Sequence, residues 1–365
     1  MAGYPGITEL AQLVDALSPV DRALFQRIYA INSSAGEQRL MPGMEPWVVQ
    51  QFGSVEAVTR QQIVRVTNMV TYEGTIFNAL RARRPVAVLS GKNLDDQLVE
   101  MSKADPFRNP LTGTPEDPFG RVVGKYCVTA SNIAKFEGLH GLVIFNEFHP
   151  LRFSREQVID YFDVAWEWVE RAQEMKPEAR YFFLIWNCLW RAAASINHGH
   201  LQVMLTTDRH YPRIEWLRRA ALDYKEDYGA NYFADLFHVH NSVGCAVEKR
   251  GVKIMAHLTP MRDNEVVLFA DEFNLSFKER IYEVMAFLRD RIGVTSFNFS
   301  LVTPPLAETP ESWEGFPVLA RVVDRGNLNE RASDIGAMTM YASSSANTNP
   351  LALAGQLREY LGEKR

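Results

Sequence analysis

The chain has 365 residues, of which 47% are hydrophobic and 23% are charged, and its formal net charge is −5. This length suits two domains or one large duplicated domain, and the composition is that of a folded globular protein. Lysine and arginine form no block, so the sequence carries no electrostatic footprint for nucleic acid. Phosphate groups would therefore be bound by a few placed side chains.

The sequence shows no sign of export or of membrane insertion. Its N-terminus lacks the basic stretch and apolar core of a signal peptide, and no apolar run reaches the length of a membrane span. The three cysteines, Cys127, Cys188 and Cys245, are widely separated. They therefore argue against a disulfide framework and against a Cys-x-x-Cys zinc site. We expect a cytoplasmic protein with no membrane partner.

The N-terminal part of the chain is predicted to be helical. Apolar residues recur at helical spacing between Leu10 and Leu17, and Pro19 stands in the first turn of a second predicted helix. We therefore predict a helical N-terminal extension over residues 1–64. Residues 104–124 are rich in proline and glycine and predict an extended connector, with a possible domain boundary.

The remaining chain repeats one order of elements. An apolar strand precedes a predicted helix at 154–175 and two further strands, and the same order recurs around a predicted helix at 276–292. Each helix starts with Ser followed three residues later by Gln or Glu, which is a capping box. We read this as a degenerate duplication with halves at 65–215 and 216–365. The expected class is α+β, with helices packed on an antiparallel sheet.

The stretch HGHLQ places His198, His200 and Gln202 at alternate positions. In a β-strand these three side chains line one face, while Leu201 and Val203 face the core. A neutral imidazole can attack phosphorus, and a second imidazole can orient the first or bind a metal. A glutamine amide can donate to phosphate oxygens. The pattern therefore indicates a phosphoryl-transfer site.

An H-x-H pair alone is a weak signal, because short motifs recur by chance and are more often structural. His238 and His240 form such a pair. No glutamine stands two residues after them, and they lie where a predicted helix gives way to a polar loop. We assign this pair no role. The residues around each pair therefore distinguish the candidate site from the chance occurrence.

Several separate segments of the sequence resemble the H-x-H-x-Q branch of the histidine-triad superfamily. This branch contains galactose-1-phosphate uridylyltransferases and diadenosine tetraphosphate phosphorylases. The matching segments are NMVTYEGTIFNALRARRP, IFNEFHPLRF and WNCLWRAAASINHGHLQ, and the resemblance runs in order over roughly residues 65–360. It implies a duplicated histidine-triad (HIT-like) fold. Two features are closer to the phosphorylases than to the uridylyltransferases. They are the sequence HLQ and the position of Ser195, three residues before the first histidine.

The resemblance implies roles for residues at the matching positions. His200 would be the catalytic nucleophile, and His198 and Gln202 would assist it. Substrate contacts would come from Arg81, Arg84, Asn132, Asn187 and Ser195.

The sequence departs from the related zinc enzymes in two places. They carry a cysteine pair where this chain has DPFRN, with Asp105 and Arg108 at the thiolate positions. Such a pair cannot make the same zinc site, and we expect an ion pair between the two to hold the loop. In the second half, VLARVV stands where a further metal-binding H-x-H would be. We therefore expect no metal and no cofactor. His149 and His198 are weak candidate ligands, with Asp105, should zinc bind.

The resemblance implies transfer of a nucleoside monophosphate through a covalent nucleotidyl-histidine. The donor would be a nucleotide or nucleotide sugar, and the acceptor a second phosphorylated molecule. Two alternatives stay open: a dinucleoside polyphosphate or nucleoside diphosphate-sugar phosphorylase, and a non-catalytic nucleotide-binding protein. Residues 331–345 resemble the segment with which uridylyltransferases grip the sugar phosphate, but Ala337 and Met338 lack polar groups. Related enzymes are often dimers, so a homodimer is also expected.

Overall fold

The computed structural model describes residues 3–85, 93–330, 333 and 335–363, which form two β-sheets with packed helices. The strands are β1 (Tyr29–Glu37), β2 (Arg60–Asn68), β3 (Gly74–Phe77), β4 (Cys127–Ser131), β5 (Leu139–Phe145), β6 (Tyr181–Asn187), β7 (His200–Thr206), β8 (Ala246–Lys249), β9 (Val252–Ala256), β10 (Val266–Ala270), β11 (Phe297–Val302), β12 (Val318–Asp324) and β13 (Ser344–Ala346). The helices are α1 (Leu10–Asp15), α2 (Pro19–Ile28), α3 (Glu45–Phe52), α4 (Val55–Thr59), α5 (Leu94–Met101), α6 (Pro110–Gly113), α7 (Arg155–Met175), α8 (Pro212–Tyr228), α9 (Tyr232–Ser242), α10 (Leu275–Phe287), α11 (Ala337–Tyr341) and α12 (Pro350–Leu361). The predicted α+β class is confirmed.

The large sheet contains strands from both predicted halves. Its strand order is β4-β5-β7-β6-β11-β12-β10-β9-β8, and its neighbouring strands pair antiparallel. Ile185 of β6 pairs with Ser300 of β11 at the centre. Outward from this pair, β7, β5 and β4 on one side correspond to β12, β10 and β9 on the other. The duplication predicted from element order is therefore confirmed by strand order and register.

The long helix α7 covers one face of the first half. It begins at the predicted capping box, in which Ser154 and Gln157 bond to each other's backbone N–H groups. Its buried side chains share a core with Leu201 and Val203 of β7. Because side chains alternate along a strand, the other face of β7 is left for polar residues.

The second long helix begins differently from the prediction. Asn274 caps α10 by accepting a hydrogen bond from the backbone N–H of Phe277, and Ser276 lies inside the first turn. The Ser276 hydroxyl donates to the carbonyl of Arg250 instead. The predicted capping box was therefore wrong, because Asn274 supplies an equally good cap two residues earlier.

The N-terminal extension is not purely helical. β1 and β2 pair over nine residues each, and they join β3 and β13 in a second sheet of order β1-β2-β3-β13. The predicted boundary at 64/65 falls inside β2, and β13 comes from the C-terminal part of the chain. Buried Val64 and Val66 alternate with outward-facing residues, so this segment follows a strand period that the helical prediction overlooked.

The proline- and glycine-rich connector is packed against the first half. Asp117 within it is buried and accepts hydrogen bonds from Trp168 Nε1 at 2.7 Å and from the Ser131 hydroxyl at 2.6 Å.

Among the described residues, no helix is both long enough and apolar enough to span a bilayer.

Candidate active site

The face of β7 that lies opposite α7 carries two of the predicted site residues. His200 pairs with Ile144 of β5, and Gln202 pairs with Leu142. Leu142 and Ile144 belong to a small apolar cluster with Phe107 and Ala130, apart from the core beneath α7. The structure therefore brings His200 and Gln202 together on one face, as the alternation predicts.

Gly199 fixes the backbone between the two histidines. Its carbonyl accepts from Phe145 N, and its N–H donates to the carbonyl of Phe148, both at 3.0 Å. A Cβ on Gly199 would lie 2.4 Å from Cδ2 of the buried Phe145 ring. No side chain fits there without displacing that ring, so glycine is required by the close approach of the two segments.

The ring of His200 is held in one tautomer. Its Nδ1 lies 2.8 Å from the carbonyl oxygen of His198, to which it donates. Nε2 has no hydrogen-bond partner within the described part of the chain and keeps its lone pair. Burial lowers the pKa of His200, and the bond to His198 only partly offsets this effect. The ring is therefore neutral near pH 7, with one nitrogen free to react.

His198 is engaged through both ring nitrogens. Nδ1 lies 2.7 Å from Oδ2 of Asp105, and Nε2 lies 2.6 Å from the carbonyl oxygen of Phe145. Both ring nitrogens are therefore engaged by neighbouring oxygen atoms, and the side chain of Asp105 is itself only 3% exposed. Neither nitrogen of His198 is free for nucleophilic attack in this arrangement.

Asp105 also holds in place a short segment that packs over His200. Its Oδ1 accepts from the backbone N–H of Phe107 at 2.9 Å. The Phe107 ring meets His200 edge-on at 5.3 Å between centroids and His198 at 6.0 Å. We call residues 105–109 the cover segment. With this segment in place, His200 is 6% exposed.

The residues present do not fit the zinc site that the resemblance implies. The predicted ion pair between Asp105 and Arg108 was wrong: Asp105 bonds to His198, while Arg108 is exposed. His149 Nε2 lies 3.2 Å from Asp95, and its Nδ1 accepts from Leu151 N. The two weak candidate ligands thus belong to separate pairs. In the described segments, no group of three or more His, Cys, Asp or Glu side chains is arranged to hold a metal.

A buried histidine that the sequence reasoning missed contacts the glutamine. His140 Nε2 lies 3.0 Å from Oε1 of Gln202 and 3.1 Å from Nδ2 of Asn132. Asn132, predicted to contact substrate, therefore lies beside the site through His140. The one available signal was a lone polar residue within the apolar strand LHGLVIF.

Asn187 and Ser195 flank the histidine strand. Asn187 ends β6 two residues after Ile185, which pairs with Gln202, and Asn187 itself pairs with Asn298 of β11. Its Oδ1 accepts from Asn298 Nδ2 at 2.6 Å, which turns its own Nδ2 away from Asn298. Ser195 is exposed in the following loop. That loop begins at Leu189, whose φ of 68° and ψ of 173° are normally confined to glycine.

The predicted arginines lie elsewhere. Arg81 and Arg84 are exposed and line a groove of about 300 Å³ together with Trp47 and Met44 of the N-terminal extension. Within the described residues, neither arginine contacts a residue of the histidine strand. Their predicted phosphate contact stays a prediction.

The C-terminal segment that resembles a sugar-phosphate grip is described only in part. Arg331, Ala332 and Asp334 lie outside the described residues. Gly336 precedes the short helix α11, which includes Ala337 and Met338. Met338 is half exposed.

The fold matches several solved structures at low sequence identity. An ADP-glucose phosphorylase from Arabidopsis thaliana, solved with bound ADP-glucose, has a TM-score of 0.61 and 15% identity, covering 80% of this chain and 96% of its own. A GalT-like protein from the same plant has a TM-score of 0.58, 14% identity and coverage of 80% and 97%. A uridylyltransferase has a TM-score of 0.54, 14% identity and coverage of 81% and 97%.

The chain shares the fold of these proteins. The resemblance found in the sequence is thus confirmed at the level of fold. No protein-family model matches the chain, and no curated protein matches its sequence.

Proposed function

We propose that the protein is a nucleotidyltransferase in which His200 carries a nucleoside monophosphate as a covalent adduct. One observation carries this proposal: the neutral His200 ring donates through Nδ1 to the His198 carbonyl, which leaves the Nε2 lone pair free. A neutral imidazole held in this tautomer is a competent nucleophile for phosphorus. The likeness to a phosphorylase and a uridylyltransferase supports the same reaction class.

The first half-reaction forms the adduct. The Nε2 lone pair attacks the α-phosphorus of a nucleotide or nucleotide sugar, and the bond from phosphorus to the leaving oxygen breaks. The leaving group departs with the electron pair as an ionised phosphate, so no proton has to be delivered to it. The adducted ring becomes positively charged, and its Nδ1–H stays on the His198 carbonyl, which stabilises that charge.

The second half-reaction discharges the adduct. A phosphate oxygen of the acceptor attacks phosphorus, the N–P bond breaks, and His200 regains its neutral lone pair. Charge builds on the non-bridging oxygens in both steps, where positioned donors are most effective. The amide nitrogen of Gln202, which shares a face of β7 with His200, and that of Asn187 at the end of β6 are the donors proposed for this role. Neither step requires a redox cofactor.

A phosphorylase is the second candidate, in which inorganic phosphate is the acceptor. The ADP-glucose phosphorylase has the same fold, and the HLQ sequence favours this form. The third reading is a non-catalytic nucleotide-binding protein. The burial of His200 beneath Phe107 is the observation that favours it.

The test is to incubate the protein separately with ATP, UTP, ADP-glucose and UDP-glucose and to look by mass spectrometry for an acid-labile adduct on His200. We expect an adduct with at least one of them. A His210→Gln variant is the matched control, because His210 is buried but bonds to the carbonyl of Phe182 outside the site. No adduct with any of the four, together with unchanged nucleotide binding by His200→Ala, would favour the binding protein.

The acceptor separates the two enzymatic candidates. Inorganic phosphate and a hexose 1-phosphate are each added to the isolated adduct. Discharge by phosphate alone supports the phosphorylase, and discharge by the sugar phosphate supports nucleotidyl transfer between phosphorylated sugars.

A further inference from the structure

His140 is the second residue of β5. Its side chain is fully buried and has hydrogen-bond partners at both ring nitrogens. The backbone N–H of Phe136 donates to Nδ1 at 2.9 Å. On the opposite side of the ring, Nε2 lies 3.0 Å from Oε1 of Gln202. The ring therefore connects a backbone donor to the side chain of the predicted catalytic glutamine.

The contact with Phe136 fixes the tautomer of the ring. A nitrogen that accepts a hydrogen bond carries no proton, so in the neutral ring the proton must be on Nε2. Burial lowers the pKa of His140, against a smaller opposing effect of its bond to Gln202, so the ring is neutral near pH 7. Nε2 then donates to Oε1 of Gln202. Nδ2 of Asn132 lies 3.1 Å from the same nitrogen but makes no hydrogen bond to it in this tautomer, because both atoms carry hydrogen.

This bond also fixes the orientation of the Gln202 amide. With Oε1 turned to His140, the NH₂ group points away from the ring and has no hydrogen-bond partner within the described residues. Gln202 is only half buried, and it shares its face of β7 with His200. A flipped amide would place its NH₂ against the Nε2–H of His140 and its carbonyl oxygen toward the anionic phosphate. Both contacts would be repulsive.

We propose that His140 is a positioning residue that holds the Gln202 amide with its NH₂ group directed at the phosphoryl group being transferred. This inference rests on the proposed function. His140 itself does not touch the substrate and exchanges no proton during the reaction. It acts by making Gln202 a donor that needs no reorganisation when negative charge develops.

The second half of the sheet contains a pair at the same register. There too, a residue at the position of His140 contacts a side chain on the neighbouring strand. Arg321 pairs with Val267 as Gln202 pairs with Leu142. Two residues before Val267, Glu265 accepts from Arg321 Nε at 2.7 Å. Glu265 thus holds Arg321 from the position that corresponds to His140.

The test measures the single-turnover rate of adduct formation on His200, with whichever of ATP, UTP, ADP-glucose and UDP-glucose labels the wild type. We expect His140→Phe to slow this rate by about 10- to 100-fold, as is typical when a group that orients a catalytic side chain is lost. The dissociation constant of the nucleotide should change less than the rate. His140→Gln should recover much of the loss, because its amide NH₂ can donate to Oε1 of Gln202.

A double-mutant cycle shows whether His140 acts through Gln202. In a Gln202→Ala background, His140→Phe should cause no further loss of rate. Equal losses in both backgrounds, or an unchanged rate in folded His140→Phe, would overturn the inference while leaving the proposed function intact. His210→Phe is the matched control for loss of a buried histidine, since it does not contact Gln202.

A measurement on the unmodified protein avoids any folding defect in the variants. Nitrogen-15 spectra of the imidazoles should show His140 protonated on Nε2 and unprotonated on Nδ1 at pH 7. A proton on Nδ1, or a charged ring, would overturn the inference whatever the kinetics show. A wild type that forms no adduct but shows the expected tautomer would instead overturn the proposed function and, with it, any catalytic role of His140.

Discussion

In the first half of the large sheet, Gln202 contacts His140 through a neutral hydrogen bond. In the second half, Arg321 contacts Glu265 at the same register through an ion pair. The backbone around both pairs is alike: Asn132 N bonds to the carbonyl of His140 at 3.0 Å, and the corresponding N–H of His257 bonds to the carbonyl of Glu265 at 3.1 Å. The same strand geometry thus holds two different kinds of chemistry.

The two pairs differ in the hydrogen-bonding groups that they leave available for other contacts. The neutral pair leaves an amide NH₂ free on the face of β7 that also carries His200. In the charged pair, Arg321 is also bound at 2.8 Å by Glu73, which immediately precedes β3 of the small sheet. The hydroxyl of Thr75 in β3 donates to the carbonyl of Pro260 nearby. The second half thus holds the N-terminal sheet through these contacts, and the first half carries the proposed catalytic site.

The strongest contrast is expected between His200 and its counterpart Leu319. Leu319 pairs with Phe269 of β10 where His200 pairs with Ile144 of β5. His200→Ala should reduce adduct formation by at least about 10⁴-fold, because removal of a covalent nucleophile abolishes the reaction path. Leu319→Ala should leave the rate per folded molecule unchanged and cost about 2–5 kcal/mol of stability. Single-turnover kinetics and urea unfolding measure the two effects.

Loss of Arg321 should be more damaging to the fold than loss of any single residue of the first-half site. Arg321→Met leaves Glu265, whose side chain is 0% exposed, without its counter-charge. We expect a loss of about 3–5 kcal/mol in the free energy of unfolding, measured by urea denaturation. The matched variant Gln202→Met should unfold close to the wild type. Equal stabilities of the two variants would contradict the assignment of the second half to a structural role.

Gln202→Ala should show the reverse behaviour. Removal of a single positioned donor costs about 10²- to 10³-fold in rate in comparable sites, so adduct formation should fall by that factor. Stability should change little because the side chain is half buried. A rate equal to that of the wild type would show that this amide does not contact the transferred phosphoryl group.

The pH dependence of stability should report the buried histidines of the second half. Burial, with His257 stacked beside it, lowers the pKa of His240 to about 3. In the unfolded chain a histidine has a pKa near 6.5, so the unfolded state binds the extra proton first as the pH falls. Stability is therefore complete above about pH 6.5 and declines below it, by about 2 kcal/mol for such a histidine at pH 5.

His240→Gln tests that assignment, since it removes the titrating group. The variant should lose less stability than the wild type between pH 7 and pH 5, as measured by the free energy of urea unfolding. An identical decline in both proteins would show that other groups control the acid sensitivity.

The smallest expected effect concerns the cover segment. Phe107→Ala removes the ring that shields His200, so carbethoxylation of His200 by diethyl pyrocarbonate should become several-fold faster. His210 is the internal reference, because it is buried away from the cover segment. No change in the rate at His200, relative to His210, would show that Phe107 does not control access to the ring.

The sequence alone determined those parts of the protein that depend on local chemistry. Alternation along HGHLQ placed His200 and Gln202 on one face, Ser154 marked the start of α7, and the repeated element order revealed the duplication. These signals are readable because side-chain period and capping depend on residues close in the chain.

The tertiary structure alone decided which distant groups meet. Asp105 binds His198 across 93 residues and His140 meets Gln202 across 62, and neither pairing leaves a local trace in the sequence. The N-terminal strands were likewise overlooked, since a strand is stabilised mainly by its neighbours in the sheet. The sequence supplied the proposed nucleophile, but the orientation of the groups around it depends on long-range packing and on which nitrogen of each buried ring must donate.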